Sequence, residues 1–291
     1  MNTPDLTPDL PPPAFPKDPV PVQPVAPGKA LRRVSARLPF AGARTVLALI
    51  LREMSSTYGR SAGGYLWVIL EPVLGIAILS AIFSLGFKNP RLGSNFPIYY
   101  ATGLLPYQFF VTVSGKVSQS ITYSRQLLGY PRVTFTDVIT ARVILNVLTQ
   151  IIVACIVLTG ILVAFDTRTT LDMSRIVLCY AMVTALAVGI GTLNCFLSSM
   201  FSLWARVWAI ATRPLFLISG TIFLYEAIPQ PYRGWLWYNP LMHVSGEMRA
   251  AFYFSYDAPY VTPSYVFAIS GICFMAGMLL LRRYHRDIRE L

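Results

Sequence analysis

The sequence predicts an all-α membrane protein: six transmembrane helices, an amphipathic interface helix ahead of them, and short re-entrant or periplasmic helices between spans five and six. Three observations predict it. Apolar residues make up 55% of the 291 and charged ones only 13%, against roughly 25% charged in a typical soluble domain. Six runs approach the roughly 20 apolar residues that cross a hydrocarbon core of about 30 Å. Lys and Arg are also distributed unevenly between the segments that join those runs, as membrane topology demands.

Residues 1–28 hold ten of the 22 prolines, together with Asp5, Asp9 and Asp18. Such a composition buries too little apolar surface to offset the entropy of ordering, so residues 1–36 are expected to form a disordered, partly polyproline-like cytoplasmic extension. A docking role for it stays open. The basic start of a secretory signal is not expected in so acidic a stretch. Lys29, Arg32, Arg33 and Arg37 then form a basic collar.

Over residues 37–62, Phe40, Ala43, Leu47, Ile50, Leu51, Met54 and Tyr58 recur at three and four, with Arg44, Arg52, Glu53 and Arg60 off that face. A helix so patterned and so flanked can lie in the membrane interface. The plainer alternative is an amphipathic helix packed on protein. Residues 63–291 are read as one six-span domain, with spans at about 65–87, 98–117, 138–165, 176–201, 207–225 and 265–281. A polar segment, 118–136, separates the second and third. Only Lys88, Arg91, Arg168, Arg175, Arg233 and Arg249 fall on the side away from the termini; the other 18 of the 24 Lys and Arg share the termini's side. Basic residues stay cytoplasmic, so both termini are expected inside.

The segment between spans five and six is the least ordinary. Glu226 ends the apolar run, Pro229 and Pro231 break the backbone, and Trp235, Trp237 and Tyr238 follow. Asn239-Pro240 turns the chain into a short half-polar helix, about 242–254, with His243, Glu247 and Arg249. Trp and Tyr gather at membrane–water interfaces because an apolar ring carries a polar atom that stays wet. The segment therefore reads as a structured outer cap, with a simple aromatic belt as the alternative.

Within the third span Arg142, Asn146, Thr149 and Gln150 fall on one helical stripe. Charge in a span is costly, so the stripe should face protein or water; Arg142, near the span's end, can instead snorkel to the headgroups. Glu71-Pro72 interrupts the first span, either as a gate, as a partner for a buried Arg, or as an interfacial carboxylate. Gly189-x-Gly191 and Ser198-Ser199 suit close helix packing.

Several chemistries are excluded. Cys155, Cys179, Cys195 and Cys273 sit in apolar runs without CxxC spacing, which indicates neither a disulfide framework nor a zinc site. No metal site is expected, since His243 and His285 are far apart in sequence. The net charge of +11 comes with no long basic face or stacking platform, so no nucleic-acid partner is expected. There is no GxxxxGK[ST] loop, so the chain does not bind ATP in the Walker manner, and no GxSxG elbow. Glu226, His243 and Glu247 admit a reading as acid–base catalysts of an intramembrane glycosyl- or acyltransferase; capping and salt-bridging of a short helix is the simpler one.

Residues 64–72 (GYLWVILEP), Thr140-Ala-Arg142, 213–219 (RPLFLIS), Ile228-Pro229 with Tyr232, and Trp237 to Val244 (WYNPLMHV) with Glu247 and Arg249 behind it together resemble a known family. It is that of the capsular polysaccharide export permeases (KpsM-type), membrane subunits of bacterial type-two ABC exporters. The resemblance covers about residues 40–285; the long proline-rich extension departs from it. The resemblance implies a transport subunit, not an enzyme, in the bacterial inner membrane. It implies a second copy of the chain, two separate ATPase subunits holding ATP and Mg, periplasmic and outer-membrane export partners, and a lipid-linked polysaccharide as cargo. O-antigen or teichoic-acid export, or drug export, would use the same architecture.

The resemblance also places an ATPase-coupling helix after the second span, on 118–132, with Tyr123, Arg125, Gln126, Leu127, Leu128 and Tyr130 as contacts. A glycan path would use Trp67, Phe109 and Phe110 as flat faces and Arg142, Asn146 and Gln150 as hydrogen-bonding groups. Glu226, Tyr232, Trp235, Trp237, Asn239, Pro240, His243, Glu247 and Arg249 would form the periplasmic gate.

Overall fold

The computed structural model describes residues 41–58, 64–125, 133–167 and 169–284. The expected extension (1–36), and Gln126, Leu127, Leu128 and Tyr130 of the expected coupling loop, lie outside them. Every regular element among the described residues is helical: α1 (Ala41–Tyr58), α2 (Gly64–Gly86), α3 (Phe96–Ser118), α4 (Ser120–Tyr123), α5 (Phe135–Ala164), α6 (Met173–Met200), α7 (Trp204–Ile218), α8 (Tyr232–Trp237), α9 (Pro240–Phe252) and α10 (Pro263–Arg283), with a 3-10 turn at Tyr225–Ala227.

The bundle has two ends. At one, the end of α2 meets the start of α3, where Phe83 and Phe96 pack on Tyr100. Asp172, just before α6, donates its N–H to the carbonyl of Ala251 in α9 there, so α8 and α9 cap this end. At the other end, α1 packs beside the close of α3 and the opening of α5, which meet through Arg142 and the Lys116 carbonyl. The long helices α2, α3, α5, α6, α7 and α10 alternate in direction between the two ends.

Local sequence explains where the helices start. Thr134 and Asp137 form a capping box on α5, the Thr134 hydroxyl accepting from the Asp137 N–H and the Asp137 carboxylate accepting from the Thr134 N–H. Asp172 caps α6 by accepting from the Ser174 and Arg175 N–H groups. Asn239 caps α9 with Pro240 at its first position, where a missing N–H costs nothing.

Among the described residues, four helices are long and apolar enough to cross a membrane: α2 from Leu66, α5, α6 and α10. The other two expected spans are helical but differ for physical reasons. α3 carries Tyr99, Thr102, Gln108, Ser114 and Lys116, and most of its residues are buried; it is surrounded by protein and has little need of a lipid-compatible surface. α7 is only 15 residues, about 22 Å at the helical rise. The sequence predicted a continuous run to 225, but the helix stops at Ile218. Gly220 sits at φ +74, left-handed backbone that terminates helices and suits a residue without a Cβ.

The core lies where α6 packs between α3 and α10. Here the small residues act as the sequence suggested. A Cβ on Gly277 of α10 would come within 2.7 Å of the Leu193 backbone nitrogen on α6, and one on Gly191 within 2.9 Å of Val117 on α3. Only glycine lets these backbones approach so closely.

Candidate functional site at the two ends of the bundle

Ending α7 at Ile218 leaves residues 219–224 as turns and bends with carbonyls that no helix satisfies. Side chains supply the donors. Asn239 Nδ2 donates to the Ile218 carbonyl at 2.9 Å, Ser245 Oγ to Ser219 at 2.9 Å, and Tyr99 Oη to Ile222 at 3.0 Å. Arg249 Nη2 and Nη1 donate to the carbonyls of Thr221 and Phe223, both at 3.0 Å. Its guanidinium also lies 4.7 Å over the Tyr99 ring. Arg249 is 2% exposed and forms no ion pair among the described residues, so its charge is stabilised by carbonyl dipoles and an aromatic face. Of the capping and salt-bridging expected of this short helix, Arg249 takes part by donating to backbone carbonyls.

Glu226 instead accepts from Tyr256 Oη at 3.1 and 3.0 Å. Glu247 is buried on α9, and burial pushes its carboxyl above the ordinary value. Trp237 packs inward, its Nε1 donating to the Tyr260 carbonyl at 3.2 Å. Trp235 (78% exposed), Tyr232 and Tyr238 project outward. The cap thus has a locked inner layer and a free aromatic outer layer.

His243 is fully buried and joins α8 to the start of α10. Its Nδ1 accepts from the Thr262 N–H at 3.1 Å, which assigns the ring proton to Nε2, 2.8 Å from the Trp237 carbonyl. Both nitrogens are committed to backbone, leaving none for general acid–base work. Burial lowers the imidazole pKa below its ordinary 6.5. The sign follows directly: above about pH 6.5 folded and unfolded forms are both neutral. Below it the unfolded chain takes up a proton that the folded cap refuses, so stability falls with falling pH. Thermal unfolding of the wild type is expected to weaken between about pH 7.5 and about pH 5.5, and the weakening to be smaller in His243→Gln. Equal pH dependence in both proteins would contradict this assignment.

At the α1 end, Arg142 is 5% exposed. Its Nε donates to Glu53 Oε2 at 3.0 Å, its Nη1 to the Lys116 carbonyl at 2.9 Å, and its guanidinium lies 4.7 Å over the Tyr123 ring. One side chain thus ties α1, α3, α4 and α5 together. Of the two readings of Arg142, burial in protein is the one observed. The partner is Glu53, from the charged side of α1, and Glu71 is exposed on α2. Farther along α5, Asn146 Nδ2 bonds back to the Arg142 carbonyl and Thr149 Oγ1 to Leu145, while Gln150 is half-buried.

The structure does not gather the six candidate path residues onto one surface. Phe109 and Phe110, each 1% exposed, belong to the packed core, whereas Trp67 is exposed on α2. Tyr123 and Arg125 of the expected coupling segment are exposed. The residues that sequence reasoning missed are Tyr99, Ser245 and Glu53. Glu53 alone carried a signal, as the one acid on a basic amphipathic helix.

A helical bundle of this polarity, with a broken seventh helix locked by a capping helix, is a membrane domain, and the profile of the ABC-2 type transporter family matches residues 44–253. The chain belongs to that family and is a multi-pass membrane protein. Among its curated relatives, it is 29% identical over 238 residues to the polysialic acid transport protein KpsM of Escherichia coli, covering 82% of this chain and 92% of the relative. It is 24% identical over 262 residues to the capsule polysaccharide export inner-membrane protein CtrC of Neisseria meningitidis serogroup B, covering 89% and 98%. To the corresponding BexB of Haemophilus influenzae it is 22% identical over 246 residues, covering 84% and 92%.

Proposed function

We propose that this chain is the permease subunit of an ABC exporter that moves a lipid-linked capsular polysaccharide across the bacterial inner membrane. The observation that carries this reading is similarity to capsule export permeases along more than four-fifths of the chain. The energy comes from two copies of a separate ATPase, and the chain works as a homodimer. α7 supports a partner surface: it has no buried residue, and Val207, Ile210 and Leu217 are exposed along it. Six crossings are assigned to α2, α3, α5, α6, α7 with the stretch that follows it, and α10. The termini are cytoplasmic, and the cap is a periplasmic gate built from Glu226, Tyr232, Trp235, Trp237, Asn239, Pro240, His243, Glu247 and Arg249. The glycan path runs along the dimer, with Trp67, Arg142, Asn146 and Gln150 as candidates on this chain.

Deleting the gene is expected to remove polysaccharide from the cell surface and leave lipid-linked polymer inside. Normal surface polymer in the deletion strain would overturn the reading. The topology has its own check. A single cysteine replacing Trp235 in a cysteine-free chain should react with an impermeant reagent from outside, and one replacing Arg44 only after permeabilisation; the reverse pattern would invert the assignment.

Coupling to the ATPase is assigned to 118–132. Tyr123 is exposed at the end of α4, and the sequence continues with Leu127, Leu128 and Tyr130 beside Arg125 and Gln126, the side-chain types that anchor a helix in a partner's groove. Leu127→Asp and Leu128→Asp are expected to leave the protein inserted and dimeric while stopping export and ATPase stimulation. A carboxylate forced into such a groove costs about 2 kcal/mol or more. Normal export by both variants at normal expression would place the coupling site elsewhere.

A further inference from the structure

A cleft of about 350 Å³ opens at the α1 end, between α1, the close of α3, α4 and the opening of α5. Its size is within the roughly 300–1,000 Å³ of small-ligand sites. Among the described residues, three cations line it, Arg52, Lys116 and Arg142, against one carboxylate, Glu53, a formal excess of two positive charges. Gln119 and Tyr123 add polar groups to the same wall.

The cations are not spent on one another's neighbours. Arg142 is oriented by Glu53, by the Lys116 carbonyl and by the Tyr123 ring, which leaves its Nη2 without a partner among the described residues. The Lys116 ammonium and the Arg52 guanidinium also have no partner among them. A buried, pre-oriented guanidinium beside an ammonium and a second guanidinium is the arrangement that takes up the oxygens of a phosphate group, the fork by paired hydrogen bonds and the ammonium as a point charge.

We infer that this cleft is a binding site for a phosphate group. Membrane depth favours a lipid headgroup as its source. Leu47, Leu51 and Met54 form an exposed apolar stripe on the side of α1 turned away from Arg52 and Glu53, which sets α1 at the level where headgroups lie. Basic pockets between helices at that level hold anionic headgroups. The inference stands on the membrane placement of the chain and is independent of what the protein exports.

The test is binding of dihexanoyl phosphatidylglycerol, dihexanoyl phosphatidylcholine and inorganic phosphate to the full-length chain, by calorimetry and by shift of the thermal midpoint. Phosphatidylglycerol is expected to bind more tightly than phosphatidylcholine. Removing both free cations in the double variant Arg52→Gln/Lys116→Gln should weaken it about thirtyfold, the loss expected for two basic groups at a membrane surface. Arg44→Gln, on α1 outside the cleft, should bind as the wild type does. Neither side chain has a partner among the described residues, so the double variant should keep its ligand-free thermal midpoint, which separates loss of the site from loss of the fold. Tighter binding of phosphatidylglycerol than of inorganic phosphate supports the headgroup; equal binding of the two, lost in the same variant, supports the site with a soluble phosphate as its source. Equal binding of the two lipids, or unchanged affinity in the double variant, overturns the inference.

Discussion

Arg249→Leu is expected to unfold the cap while leaving the bundle inserted. The side chain is 2% exposed and is the donor to two carbonyls, Thr221 and Phe223, in the stretch that follows α7. Leucine fills part of the volume and supplies no donor. Each buried carbonyl left unsatisfied costs about 1–3 kcal/mol, so the loss should approach about 4 kcal/mol before the contact with Tyr99 is counted. Lysine separates charge from geometry. It keeps the cation but cannot span two carbonyls with a planar fork, so Arg249→Lys should fall between leucine and wild type. The measurements are the thermal midpoint and protease cleavage within 219–224. A lysine variant equal to wild type would mean that charge alone holds this segment; a leucine variant equal to wild type would remove Arg249 from the account.

That prediction depends on a feature the sequence conceals. Apolar runs and caps are local, so the helices themselves were legible: α2, α5, α6 and α10 begin and end within about three residues of the expected limits, and Asn239-Pro240 opens α9 as a capping residue and proline should. The break after Ile218 was not legible, because Pro214 to Tyr225 reads as one apolar run interrupted only by the short stretch Ser219-Gly220-Thr221. What holds the break is a set of backbone carbonyls, and a carbonyl has no sequence signature. Its donors lie 21, 26 and 28 residues downstream at Asn239, Ser245 and Arg249, and Tyr99 lies 123 residues upstream.

The same limit applies to aromatic rings. Phe109 and Phe110 look from sequence like faces for a sugar, yet a ring buried in a bundle and a ring lining a path have identical composition signals. Their neighbours decide: Phe109 sits edge-on to Tyr180 on α6. Arg142 was legible as a residue that must avoid lipid. Its partner was not, being 89 residues away on a helix read as amphipathic, where Glu53 counted only as polar surface.

The Arg142–Glu53 pair yields the other large effect. Arg142→Met should preserve the length and apolar packing of the side chain while deleting the cation 3.0 Å from Glu53, the donor to the Lys116 carbonyl and the group stacked on Tyr123. Removing one member of a buried pair costs about 3–5 kcal/mol. Glu53 keeps 17% side-chain exposure, so about 3 kcal/mol is expected here. Glu53→Gln should cost less, since an amide oxygen still accepts from Nε. If the ion pair is the main link, the combination Glu53→Gln/Arg142→Met should be no worse than Arg142→Met alone. The same ordering should appear in export. Arg142 joins α1 to the ends of α3 and α4, the segment assigned to ATPase coupling, so its loss should uncouple as well as destabilise. Additive costs in the double variant would show that the two residues act separately, and that α1 is held to the bundle by its apolar packing alone.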